Sequence, residues 1–274
     1  MIVDSRVKHR KLVSSTQLAV LELLYKYRFG SSELLRSSLG LKSNASMFRK
    51  LVILKDKGYV EKRFASSYRI KGVPASYCLL PEGIRELQKL PKYQPINDKQ
   101  IKFIYNNRNI SEPFIAHNLD IYRSALHLQR LYPAIKLFTK PETSGLSYMP
   151  TVPPDLFVSL KQEDQAEPHR FFLDIIPSST PRRVLEKRIA DLLEFFEDGS
   201  WEETAGSVLP TLLILCESGS FEKRVQRMVA RRLYDEELSC LTSTLLAIRN
   251  ANPGENIWSN VDEPDDLVSL AEQF

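Results

Sequence analysis

The chain has 274 residues, of which 43% are apolar and 26% charged, the balance of a folded globular protein and not of a disordered or fibrous one. No apolar run approaches the roughly 20 residues of a membrane helix, and the opening MIVDSRVKHRK lacks the apolar core of a signal peptide; a cytoplasmic protein without membrane partners is expected. Net charge is only +4 but unevenly divided: residues 1–90 hold 18 Lys/Arg against 7 Asp/Glu, a net +11, and the rest hold 20 against 27, a net −7. A basic front joined to a mildly acidic remainder suits a nucleic-acid reader attached to a second unit, and equally a basic solvated surface. Cys78, Cys216 and Cys240 form no C-x-x-C pair, so neither a zinc ribbon nor a disulfide framework is suggested, and buried free thiols are expected.

Ser14-Ser15-Thr16 offers caps for a first helix, Gln17 to Arg28, with Leu18, Leu21 and Tyr25 on one face. Gly30 ends it. A short second helix runs from Ser31 to Ser38, Leu39-Gly40-Leu41 makes a tight turn, and Asn44 can cap a third helix reaching about Lys57. Met47, Leu51 and Leu54 face the core of that helix, leaving Ser46, Arg49, Lys50 and Lys57 outward. Gly58 closes it. Tyr59 to Phe64 and Ala75 to Leu80 read as two strands around a basic tip, Arg69 to Pro74, and Pro81-Glu82-Gly83 starts a fourth helix ending near Leu90.

Three helices, a hairpin with a basic tip and a further helix, joined by the passage LKDKGYVEKR, resemble the winged helix family. The resemblance implies that the third helix enters the major groove of double-stranded DNA and that the hairpin touches backbone. Arg49, Lys50, Lys57, Arg63, Arg69 and Lys71 would neutralise phosphates, and Ser46 or Arg49 would read base edges. A module of this kind used only for protein contacts is the other reading.

Pro91, Pro95 and the polar run Lys99 to Asn109 break the periodicity, so a domain over 1–92, a connection over 93–110 and a second domain over 111–274 are expected. Phe103-Ile104-Tyr105 can form a short strand in the connection. Ser111-Glu112-Pro113 then opens a long helix to about Leu131, with two adjacent apolar stripes and with His117 and His127 ten residues apart, no ligand spacing; packed or hydrogen-bonded imidazoles are expected. Strands follow at Ile135 to Thr139, Asp155 to Leu160 and Arg170 to Ile176. A helix from Pro181, a buried strand Pro210 to Cys216, a helix Phe221 to Leu233 and a strand near Leu241 to Ile248 complete the order. The two-domain chain is thus of α+β and α/β class. The tail from Asp262 reads as a short helix or a frayed end, Trp201 and Trp258 as packing residues, and RVQRMVARR, Arg224 to Arg232, as a second basic face or a solvated one.

Each of two strands carries one aspartate in apolar company: Asp155 opens one and Asp174 stands near the end of the other. A hairpin would bring both carboxylates to one end of the sheet, as a metal site or as turn and cap residues. The order helix, three strands, helix, strand, helix, strand, with Pro154-Asp155 and Asp174, resembles the restriction-endonuclease-like fold and its PD-(D/E)XK motif. That resemblance implies acids holding Mg or Mn and a lysine at the attacking water. Ile176 stands where that lysine is usual. Lys187, on the following helix, points nearly opposite the apolar face of Leu185, Ile189, Leu192 and Phe196, whereas Arg188 flanks it but cannot give up a proton.

The whole chain resembles the replication-relaxation family of plasmids and integrative elements, related to the MobC-type mobilisation proteins. The residues that carry this are His117-Asn118-Leu119, Pro154-Asp155, Phe172-Leu173-Asp174 and a cation before Ile189. The family pattern implies glutamate, a second acid and lysine where this chain has Asp174, Ile176 and Arg188. Three functions follow as expectations. One is a DNA-binding protein in the replication or mobilisation of a mobile element, with replication, mobilisation or transposition proteins as partners and an altered nuclease-like site. The second is a metal-dependent nickase using Asp155 and Asp174 with Lys187 or Arg188. The third is a winged-helix transcriptional regulator.

Overall fold

A computed structural model of the chain describes residues 13–64, 72–96, 101–102, 106–143, 146–161, 167–205, 208–234 and 236–271. It divides into two compact units, Met1–Ser111 and Glu112–Phe274.

In the first unit, Ser14 and Gln17 form a capping box that starts α1, Ser15–Tyr27. The buried face is Gln17, Val20, Leu21, Leu24 and Tyr27, rotated from the expected Leu18 and Tyr25 because the core lies on the side where Val20 and Leu24 pack. Gly30 ends no loop. It lies in a short strand β1, Phe29–Ser31, where an added Cβ would press on Leu24 and Leu35 at 3.2 Å. Helix α2, Ser32–Ser38, is capped by Ser31, and α3, Asn44–Asp56, has Ser43 and not Asn44 at its N-cap. Strands β2, Val60–Arg63, and β3, Ser76–Leu79, make an antiparallel sheet of order β1-β3-β2, followed by α4, Pro81–Leu87, and a turn Pro91–Tyr93.

Two glycines hold this layout. Gly58, at φ +73°, lets the chain leave α3 through paired bonds, Gly58 N–H to Lys55 O at 2.8 Å and Tyr59 N–H to Leu54 O at 3.0 Å. At Gly83 an added Cβ would lie 2.4 Å from the carbonyl oxygen of Tyr59, which already accepts from Leu80 N–H. Residues 65–71, with Arg69 and Lys71 of the expected tip, and Phe103 to Tyr105 lie outside the described residues. The turn Asn106–Asn109 belongs to the first unit: Asn107 Oδ1 accepts from Arg28 Nε at 2.7 Å, so this part of the expected connection is bonded to the unit before it.

The second unit opens with α5, Glu112–Leu131, and builds a seven-stranded sheet. Strands β4, Lys136–Thr139, β5, Leu156–Leu160, and β6, His169–Ile176, run antiparallel. Parallel pairing then joins β6 to β7, Thr211–Cys216, and β7 to β8, Cys240–Thr244. Three helices intervene: α6, Lys140–Thr143, after β4, and α7, Arg182–Glu197, with α8, Ser200–Ala205, between β6 and β7. Helix α9, Gly219–Leu233, links β7 to β8.

The expected last strand stops at Thr244, whose hydroxyl accepts from Ala247 N–H and starts α10, Leu245–Asn250. Among its described residues the acidic tail is also not helical. Strands β9, Trp258–Asn260, and β10, Leu267–Val268, extend the sheet antiparallel from β8.

One face of the sheet presents Phe157, Phe172, Leu212, Ile214 and Cys240 to α7 and α9. Trp201 of α8 is fully buried among the rings of Phe157, Phe172 and Phe196, at 5.4–6.2 Å between centroids. Helix α5 packs against β6 and α10. All three cysteines are buried and take part in no disulfide among the described residues. Among the described residues no helix is long and apolar enough to cross a membrane.

A Gly83→Ala substitution should destabilise the protein by roughly 1–3 kcal/mol, because backbone at 2.4 Å cannot yield as a flexible side chain can. A thermal melt unchanged from wild type would refute that assignment.

Candidate functional site

In β5 and β6, Leu156 stands opposite Leu173, so one residue further out Asp155 stands opposite Asp174. The Asp155 amide donates to Asp174 Oδ1 at 3.0 Å, and the Ile175 amide donates to Asp155 Oδ2 at 3.0 Å. The strand pairing therefore brings the two aspartates together.

Their charged partners come from three helices. Lys140, the first residue of α6, donates to Asp155 Oδ1 at 2.9 Å, and His117 Nε2 of α5 lies 3.1 Å from Asp155 Oδ2. Asp174 turns instead to α7, where Arg188 Nε donates to Oδ2 at 2.8 Å and Arg188 Nη1 donates to the Val152 carbonyl. Arg188 Nη2 is buried with no hydrogen-bond partner among the described residues.

Asp155 is only 6% exposed. Burial by itself raises its carboxyl, but the His117 hydrogen bond, the charges of Lys140 and His117 and the Ile175 amide hold it down at about 2. That same hydrogen bond pushes the His117 imidazole above its ordinary value, against the effect of burial. Asp155 thus faces two basic side chains, Lys140 and His117, and Asp174 faces one, Arg188.

A divalent ion does not fit this donor set. Mg²⁺ needs near-octahedral oxygen ligation and Mn²⁺ favours the same hard donors, yet every carboxylate oxygen here already accepts from a cation or a backbone amide. Among the described residues no three His, Cys, Asp or Glu side chains are grouped to hold an ion. In this arrangement the side chains facing Asp155 and Asp174 are Lys140, His117 and Arg188, in the places a bound ion would occupy.

Ile176 follows Asp174 on the same face of β6 and packs on the core under α7. Lys187 is exposed and pairs with Asp191 at 3.1 Å, on the outer side of α7, so it does not join the cluster. Arg188 does. Lys140 had no signal in the sequence, since it lies 15 residues from Asp155 across a turn. His117 carried one, as part of the His117-Asn118-Leu119 triplet, but periodicity could not show which carboxylate it would meet.

The α3 residues are arranged differently from the expectation. Arg49 is fully outward, but Ser46, Lys50 and Lys57 are half-buried and flank the exposed face, because they lie beside Met47 and Leu54 around the helix. The centre of that face is shared by Arg49 with Phe48, Val52 and Ile53, which are 51%, 39% and 45% exposed. Arg63 is committed inside its unit, donating from Nη1 to Asn107 O at 2.7 Å and from Nη2 to Ile110 O at 3.0 Å. Arg69 and Lys71 lie outside the described residues.

The cluster makes stability depend on pH in two windows. Asp155, with its folded value below the unfolded one, contributes about 2 kcal/mol above pH 4 that is lost as pH falls from about 3.8 through 2. His117, with its folded value raised, contributes fully below pH 6.5 and loses that contribution as pH rises through the folded value. Asp155→Asn should flatten both windows in urea titrations between pH 2 and 9. Retention of the alkaline loss in that variant would show that His117 draws its proton affinity from another group.

No protein-family model and no curated protein matches the chain. Two solved structures are similar at 11% identity, one described as restriction endonuclease FokI and one as FokI bound to DNA, with TM-scores of 0.31 and 0.27. The similarity covers 85% of this chain and 43% of each of those, so the chain spans less than half their length.

Proposed function

We propose that the chain binds double-stranded DNA through a winged-helix first unit, and that its second unit has a restriction-endonuclease-like frame whose acid pair is neutralised by cations. The observation that carries the DNA reading is the charge partition, a net +11 within residues 1–90, combined with the order α1, α2, α3, β2, β3. In this reading α3 lies in the major groove. Arg49 suits the acceptor pair of guanine, Phe48 and Val52 suit thymine methyls, and Lys50 and Lys57 neutralise phosphates at the sides of the helix.

The nuclease-like reading of the second unit rests on strand order, three antiparallel strands passing into parallel β6-β7-β8, and on the facing aspartates. Its acids hold their own cations, which favours binding over metal-dependent cutting. Service in the replication or mobilisation of a plasmid or other mobile element is the finer form of this proposal, supported by the resemblance of the His117, Asp155, Asp174 and Arg188 segments.

The exposed Phe48, Val52 and Ile53 favour one second reading, in which α3 docks on a protein. Fluorescence anisotropy with duplex DNA at rising salt separates the two. Arg49→Ala with Lys50→Ala should weaken binding at least tenfold at low salt and reduce the salt slope by about 1–2; an unchanged isotherm would leave α3 to a protein partner. Supercoiled plasmid incubated with Mg²⁺ or Mn²⁺ should stay intact. Nicking that disappears in Asp155→Ala would overturn the neutralised-site reading.

A further inference from the structure

Helix α9 buries Phe221, Val225, Met228, Val229 and Leu233. At 100° per residue these centre on the side opposite Arg227. Lys223, Arg224, Arg227 and Arg231 fall within about 100° of one another on that outer side, and all four are exposed. Tyr234, which caps the helix in line with Lys223, is 79% exposed.

An ordinary solvated helix face carries acids one turn from its cations, as α7 does with Arg182–Glu186 and Lys187–Asp191. Helix α9 does not. Its one acid, Glu222, accepts from the Thr242 hydroxyl at 3.0 Å and feels the charge of Lys223 without forming an ion pair with it. Three acids, Asp235, Glu236 and Glu237, follow the helix in the sequence, and Asp235 lies outside the described residues. Among the described residues no carboxylate pairs with Lys223, Arg224, Arg227 or Arg231. The polar contacts of these side chains are local: Arg227 Nε donates to the Lys223 carbonyl at 3.0 Å, and the Arg224 guanidinium lies 5.2 Å from the Phe221 ring.

A row of cations repeating every turn, none of them ion-paired to a carboxylate among the described residues, ends on an exposed aromatic ring and stands on a unit that is otherwise mildly acidic. We infer that the outer face of α9 is a second nucleic-acid contact, gripping the phosphate backbone of a DNA duplex through Lys223, Arg227 and Arg231. It adds affinity without reading sequence, because phosphates are the same at every base pair. The partner commitment is to DNA and not to an acidic protein surface, since a rigid row of fixed charges is met best by a polyanion of regular charge. The inference extends the DNA-binding reading to the second unit and does not depend on α3.

The test uses the full chain and a duplex of about 30 base pairs, with affinity measured from 50 to 200 mM salt. Lys223→Gln with Arg227→Gln and Arg231→Gln, and α3 left intact, should lower the salt slope by about 2–3; the affinity ratio across that salt range should shrink by roughly fifteen- to sixtyfold. Arg227→Lys with Arg231→Lys should keep the wild-type slope, since the charge is retained, and all variants should melt as wild type does. A slope unchanged in the glutamine variant overturns the inference whatever α3 does, and so does capture of poly-glutamate through the same three residues without any effect on DNA. A slope lost equally in the lysine variant also overturns it. If Arg49→Ala with Lys50→Ala has no effect while the α9 variant is weakened, the α3 reading fails and the α9 contact stands. If the wild-type chain binds no duplex at any salt, both fail.

Discussion

The pairing of β5 with β6 in a single register is the constraint from which the second unit's chemistry follows. With Leu156 opposite Leu173, both buried, no slip by one residue is tolerated, because it would turn the apolar set of each strand to the wrong face. The same register forces Asp155 and Asp174 side by side at the strand ends. Two carboxylates in so dry a place repel, and the fold answers with basic side chains carried by three separate helices, α5, α6 and α7. Each of these helices is thereby tied to the sheet by an ionic contact as well as by apolar packing. Removing one partner of such a pair leaves a stranded buried charge, which typically costs 3–5 kcal/mol, more than the pair itself contributes.

The acids are adjacent yet divided in allegiance. Asp155 belongs electrostatically to α5 and α6, Asp174 to α7. A site built to hold a divalent ion turns its carboxylate oxygens toward one point, and here they accept from donors on different elements. Arginine at position 188 strengthens that division, since a planar guanidinium holds a carboxylate and a carbonyl at once and never releases its proton. The cluster acts as an electrostatic clasp, and its sensitivity to acid and to base arises from one carboxylate, Asp155, seen from two sides.

Elsewhere the distribution of unpaired charge is informative. Helix α7 pairs Arg182 and Lys187 with its own acids, whereas among the described residues no ion pair holds the outer cations of α9, although both helices pack on the same face of the same sheet. The α3 face differs again, mixing one fully outward arginine with three exposed apolar side chains. In the proposed DNA-binding role the two surfaces divide the work, apolar and guanidinium contacts for bases at α3 and bare positive charge for backbone at α9.

Local periodicity determined a good part of this from the sequence alone. The buried face of α7, Leu185 to Phe196, the outward placement of Lys187 and the meeting of the two aspartates all follow from a 3.6-residue repeat and from two short apolar strands that can only pair as a hairpin. Capping signals were legible too, at Ser14 and at Gly58. What only the tertiary structure decided are contacts between residues distant along the chain: Lys140 and His117 on Asp155, Arg63 on the Asn107 and Ile110 carbonyls, and the turning of Lys50 and Lys57 toward the sides of α3. The end of β8 at Thr244 and the extra strands β9 and β10 were settled in the same way, by the open edge of a sheet already formed. A repeat specifies which face of an element is buried, and it carries no information about which other element will cover it.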